Sequence, residues 1–147
     1  MDGRRENPIT SRLTGTYRIG VSRAALAEAK RLFPRTGDYM AARAQALKLR
    51  FWPGGAGGQS VDINWDWIQA CGNLGIGELR VEDTIGGHNN LRIIFFKPDT
   101  NKANLCEMPT IWVLRVMQKK RQSFTHNDVL IFKARRERIM NFFYKKS

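Results

Sequence analysis

Cysteine and histidine are scarce in this chain, with two of each among 147 residues. Cys71 and Cys106 stand alone, with no Cys-x-x-Cys pair and no histidine cluster beside them. That excludes the ligand spacing of a structural zinc site and a disulfide scaffold, and it leaves packing as the role of both thiols. His88 and His126 have no ligand spacing with the cysteines or with each other, so neither a metal nor a cofactor is expected. Long apolar runs are also missing. None approaches the roughly 20 residues of a membrane span, and residues 1–12 have no apolar signal core. The expected setting is the cytoplasm, away from membranes. The other shortage is of acid: 13 Asp and Glu face 25 Lys and Arg, a formal charge of +12. Residues 110–147 alone hold ten Lys and Arg against two Asp and Glu. Such a surface attracts phosphate polymers and repels basic partners.

What is present is enough for a packed interior: 42% of the residues are hydrophobic and 10% aromatic, which argues against disorder. The length fits one domain over residues 1–147. Residues 1–13 are polar and basic and are expected to be flexible. Residues 16–21 read as a first strand. Ser22 then reads as a helix N-cap, followed by Ala25, Leu26, Ala29, Leu32 and Phe33 at helical spacing, and Pro34 ends the run. Asp38 reads as the cap of a second helix with Met40, Ala44, Leu47 and Phe51 on one stripe. The short connector at 34–37 implies a helical hairpin. Pro53 and the glycines at 54, 55, 57 and 58 then break the chain. No Gly-Lys-Ser/Thr follows, so this is no P-loop, and residues 52–75 read as an insertion-like segment. Trp65, Trp67 and Ile68 predict a short helix or an irregular aromatic patch, filling core or meeting a partner.

From Ile76 the period becomes two. Leu79 and Val81 alternate with Glu78, Arg80 and Glu82, the pattern of a half-buried strand. A Gly86-Gly87 connector leads to an aromatic and β-branched strand at 91–97. A polar loop spans 98–109. Residues 111–117 then form a strand that is apolar apart from Arg115 and suited to a central position, and the short links favour antiparallel neighbours. Thr125 and Asp128 make a capping box for a terminal helix with Val129, Phe132, Ile139 and Phe143 on one stripe. Arg136 interrupts that stripe, either snorkelling to water or lining an anion site.

The chemistry-bearing residues are Arg80, Arg92, Lys119 and Lys120, a basic set carried on successive strands. Arginine's planar fork matches phosphate oxygens and stays charged. The same arginines have carboxylates nearby at Glu78, Glu82 and Asp83, so cross-strand neutralisation is the competing role.

Gly77-Glu78-Leu79-Arg80, then Asn90-Leu91-Arg92-Ile93-Ile94-Phe95-Phe96, then Ile111-Trp112-Val113-Leu114, then Gln118-Lys119-Lys120-Arg121-Gln122-Ser123-Phe124-Thr125 resembles the RelE/HigB toxin superfamily, in particular its HigB-type and phage-derived Gp49-like members. The resemblance covers residues 76–140 by motif and 16–51 by layout. Met117 stands where the family often has an aromatic. The resemblance implies an α+β fold of the RelE-like small-sandwich type. It would have an N-terminal strand, a helical hairpin, a three-stranded or larger, mostly antiparallel twisted sheet and a C-terminal helix. It implies the toxin of a type II toxin–antitoxin system, an mRNA endoribonuclease associated with the ribosome. Such an enzyme inhibits translation and growth by metal-independent cleavage through the ribose 2′-hydroxyl. The partners implied are mRNA, the ribosome and a helix-turn-helix, HigA-type antitoxin, with operator DNA reached only through that antitoxin.

On this reading Arg80 and Arg92 clamp the scissile phosphate. Lys119 and Lys120 bind flanking phosphates or transfer a proton. His126 is either a proton-transfer group with a suitable ordinary pKa or a structural residue at the helix start. Gln118, Arg121, Arg115, Arg136 and His88 are the further RNA-contact candidates, and Tyr144 a stacking or proton-donating one. Two alternatives remain: a non-catalytic basic nucleic-acid-binding module, and a phage-derived protein-binding subunit that uses the terminal helix and the Trp65/Trp67 patch.

Overall fold

The computed structural model describes residues 17–51, 64–87, 89–98 and 109–144. The expected flexible N-terminus, the glycine-rich break at 53–58, most of the 98–109 loop, Cys106 and His88 lie outside the described residues. The described part is α+β, with a mixed five-stranded sheet and three α-helices. Strand β1 (Arg18–Val21) is followed by helices α1 (Arg23–Leu32) and α2 (Thr36–Leu47), then by β2 (Trp65–Trp67), β3 (Ile76–Arg80), β4 (Leu91–Phe96), β5 (Thr110–Gln118) and helix α3 (His126–Phe143). The strand order is β1-β5-β4-β3-β2. Strands β2 to β5 pair antiparallel, and β1 adds parallel to β5.

The helices start where their side chains can take the orphan N–H groups. The Ser22 side chain accepts a hydrogen bond from the Ala25 N–H, as a good N-cap does. Thr125 and Asp128 close a reciprocal capping box at the start of α3. The second helix departs from expectation. It starts at Thr36 rather than after Asp38, which lies in its first turn, where a carboxylate favours the helix dipole. Its buried positions are Ala42 and Ala46, while Met40 is 47% exposed. The helix thus turns small alanines inward and leaves Met40 of the expected stripe to solvent.

The sheet is covered on both faces. One core joins Ala25, Phe33 and Ala46 of the helical hairpin side to Leu79, Ile93, Phe95 and Val113. The other joins Val129, Phe132 and Ile139 of α3 to Ile76, Ile94, Phe96 and Leu114. All six residues of β4 are buried, as befits the middle strand. Each fully buried Phe or Leu stabilises by roughly 1.5–3 kcal/mol. Gly77 is required by this packing, because a Cβ there would overlap the Phe95 ring.

Where β1 stops, side chains take over the edge of β5. Past the Val21–Val113 pair no strand flanks β5 on that side among the described residues. The Val116 N–H instead donates to Glu28 Oε1 at 3.1 Å, and the Leu114 carbonyl accepts from Arg135 Nη1 at 2.9 Å. These bonds satisfy backbone groups that would otherwise be orphaned, and they tie α1, β5 and α3 together.

Candidate functional site

Cross-strand register decides which polar side chains share a face. Residues directly opposite in antiparallel strands lie on one side of the sheet with Cα atoms roughly 4.5–5.5 Å apart. Arg80 is opposite Arg92, and Arg92 opposite Met117. The next rank holds Asp66 opposite Glu78, then Ile94, then Arg115. The face that α3 covers with apolar side chains thus ends in a rank of arginines beside a rank containing carboxylates. Two like charges directly opposite one another are unfavourable by a few tenths of a kcal/mol or more, so a specific compensation is needed.

Glu78 supplies it. Arg92 is only 9% exposed, and its Nε donates to Glu78 Oε1 at 3.0 Å. The Lys119 Nζ reaches the same oxygen at 3.4 Å. Lys119 is held there from both ends. Its backbone N–H donates to the Asn90 carbonyl at 2.8 Å, and its ammonium sits 4.5 Å from the centroid of the Phe124 ring. Asn90 itself adopts a left-handed conformation with φ of 57°, which turns the chain into β4. The Arg80 side chain is exposed and makes no ion pair among the described residues. Asn64, Trp65, Asp66, Glu78, Arg80, Arg92 and Lys119 line a cleft of about 170 Å³. The competing role foreseen for the arginines therefore holds for Arg92, which Glu78 neutralises, and not for Arg80.

The remaining candidates divide. Lys120 and Arg121 are exposed in the turn after β5, and together with Gln118 and Lys119 they line a second, larger cleft. Gln118 donates to the Asn89 carbonyl at 3.1 Å, bracing the connector into β4. Arg115 lines that second cleft but is occupied, at 3.1 Å from Asp128 Oδ1 and 3.8 Å from Glu28 Oε2. Asp128 feels opposing effects. Burial raises its pKa, but hydrogen bonds from Thr125 and the charge of Arg115 outweigh this and hold the carboxyl below its ordinary value. Arg136 is elsewhere. It donates to the Leu74 carbonyl at 3.1 Å and stacks 5.0 Å from the Phe96 centroid, a clamp between α3 and the turn before β3. His126 is exposed at the first position of α3 and lines neither cleft. Tyr144 is buried, and its hydroxyl accepts from Trp112 Nε1 at 3.0 Å. Cys71 is buried in the α3 core, and burial pushes its thiol pKa up.

Trp65 and Trp67 form neither a helix nor an irregular patch. They make an edge strand whose rings pack edge-on against each other, with Trp65 edge-on and Trp67 tilted against Phe95. Glu28 and Arg31 line the larger cleft and Asn64 and Asp66 the smaller one, although none of the four belongs to a motif. One signal was available for Glu28, since it lies three residues from Ala25 and four from Leu32, on the apolar stripe of its helix. Asn64 and Asp66 carry no such signal, because β2 is defined only by its pairing with β3. Among the described residues no three His, Cys, Asp or Glu side chains gather as a metal site, and no helix is long and apolar enough to cross a membrane. The chain matches no family model, no curated protein and no solved structure.

Proposed function

We propose that this chain is an endoribonuclease of the RelE/HigB type, a toxin that cleaves mRNA in the cytoplasm, on the ribosome, and is held in check by a helix-turn-helix antitoxin. One observation carries the reading: Arg80 opposite Arg92 on adjacent strands, with Glu78 and Lys119 in the same cleft. These groups supply each function that metal-free cleavage of RNA needs. Arg80 and Arg92 bind the non-bridging oxygens of the scissile phosphate, where negative charge grows in the transition state. Glu78, already a hydrogen-bond acceptor in the cleft, takes the proton of the 2′-hydroxyl. The 2′-oxygen forms its bond to phosphorus as the bond to the 5′-oxygen breaks, and Lys119 donates a proton to that leaving oxygen. The products are a 2′,3′-cyclic phosphate and a 5′-hydroxyl end. The phosphate replaces Glu78 as counter-ion of Arg92, so the resting ion pair keeps the buried guanidinium satisfied until substrate arrives.

A second reading has an observation of its own. The Arg92–Glu78–Lys119 grouping keeps one net positive charge while its only carboxylate is held by both cations, as a module that binds RNA without cutting it would allow. Purified protein incubated with labelled RNA, with and without translating ribosomes, separates the two. The proposal expects fragments ending in a cyclic phosphate. Binding without scission under both conditions rejects it in favour of the module.

A further inference from the structure

The second cleft opens on the other side of Lys119, which lines both. Its volume is about 450 Å³, within the roughly 300–1,000 Å³ usual for ligand pockets. The first cleft, about 170 Å³, is well below that range and suits a single phosphate group. Five cationic side chains line the larger cleft against two carboxylates, Glu28 and Asp128. Both carboxylates are engaged by protein groups. Glu28 accepts from Val116 and Arg135, and Asp128 from Thr125 and Arg115. The cations left over are Arg31 on the last turn of α1, with Lys120 and Arg121 in the turn after β5. All three are exposed, and none makes an ion pair among the described residues. Beside them the cleft presents Leu32 and Met117, half-buried apolar side chains able to meet a base or ribose face.

We infer that the cleft between α1 and the turn after β5 is a second subsite for the same RNA strand, in which Arg31, Lys120 and Arg121 bind the phosphates flanking the scissile one. This rests on the reading of the chain as an RNA-binding enzyme and extends it. The substrate is a single strand long enough to pass over Lys119 from one cleft to the other, not a mononucleotide. Arg31 reaches the path from the helical hairpin, outside the strands that carry the basic motifs.

The test uses the full chain and a single-stranded RNA of roughly twelve nucleotides, fully 2′-O-methylated so that it has no nucleophile. Its affinity is followed by fluorescence anisotropy as salt is varied. Each phosphate contact to a single strand contributes about 0.7 to the slope of log K against log salt, so the triple variant R31Q/K120Q/R121Q should lose about 2 from that slope. A control triple variant, R18Q/R23Q/R43Q, removes the same charge from exposed positions outside both clefts and should keep the parental slope. Equal slopes for parent and cleft variant overturn the inference, as does an equal loss in the control. Preference of the parent for a glutamate-rich peptide over RNA, abolished in the cleft variant, also overturns it and makes the cleft a protein-docking site. Cleavage of unmodified RNA by the parent is scored separately. Cleft-dependent binding without scission sinks the enzyme reading alone, while scission with an unchanged slope sinks this inference alone.

Discussion

Glu28 on α1 and Glu78 on β3 are both carboxylates set among cations beside the same sheet, yet their environments differ atom by atom. Both oxygens of Glu28 are used. Oε1 accepts from the Val116 N–H at 3.1 Å and from Arg135 Nη1 at 3.0 Å, and Oε2 lies 2.9 Å from Arg135 Nη2. The arginine in this cluster also holds the Leu114 carbonyl and so ties the carboxylate to β5. Glu78 spends one oxygen on two cations, and its Oε2 has no partner among the described residues. Its neighbour Arg80 has none either. A fully engaged carboxylate holds elements together and has little left to offer a ligand. A half-used one beside a cleft keeps capacity in reserve, which costs stability and makes sense where a substrate completes it.

The sharpest way to break this comparison is to remove the reserve capacity of one cluster. Glu78→Gln keeps an acceptor oxygen near Arg92 and Lys119 but removes the base. Single-turnover cleavage should fall by roughly 10²–10⁴-fold, and the urea midpoint should drop as well, because the buried Arg92 loses its counter-charge. Arg80→Ala should slow cleavage by about 10²–10³-fold, the usual effect of deleting one group that stabilises transition-state charge. It should leave folding nearly untouched because the side chain is exposed. Cleavage at the parental rate by both variants would mean that the cleft is not the catalytic centre.

Glu28→Ala tests the opposite pole. It leaves the half-buried Arg135 without its counter-charge and the buried Val116 N–H without its acceptor. The expected loss is about 3 kcal/mol, read from urea denaturation. Any fall in cleavage should track the unfolded fraction rather than precede it. A stability change below roughly 0.5 kcal/mol, the range of unremarkable surface substitutions, would remove Glu28 from the structural side of the comparison.

Much of this architecture is legible in the chain because it is local. Ser22, the Thr125–Asp128 box and the stripe at Val129, Phe132 and Ile139 are signals within a few residues, and the structure shows each one. Strands β3, β4 and β5 announce themselves through alternation or continuous apolar runs. What is not legible depends on long-range pairing. The three residues of β2 become a strand only against β3, and nothing in 65–67 alone requires it. The parallel pairing of β1 with β5 joins segments about ninety residues apart. The site divides the same way. Arg80, Arg92 and Lys119 stand out as basic residues in strand motifs. That Arg80 faces Arg92 is a matter of register, and a slip of one residue would send one of them to the other face. Which arginine Glu78 takes, and which it leaves, follows only from that register.

The smallest expected effect lies between the two clusters, at Asp128. Its carboxylate accepts from the Thr125 N–H at 3.0 Å, and it pairs with Arg115, which also approaches Glu28. Because the folded carboxyl is held below its ordinary value of 3.8, the unfolded chain takes up a proton first as pH falls. The stabilisation is therefore complete above the unfolded pKa and is lost as pH drops through the folded one. Asp128→Asn should lower stability by about 1 kcal/mol at neutral pH, the usual order for a helix cap. The gap between parent and variant should close below pH 3.8. Denaturation midpoints measured at neutral pH and at a series of acid values give both quantities. A gap that stays constant into acid would assign the loss to packing rather than to charge. It would also place Arg115 with the reserve cations of the cleft instead of the saturated ones that join α1, β5 and α3.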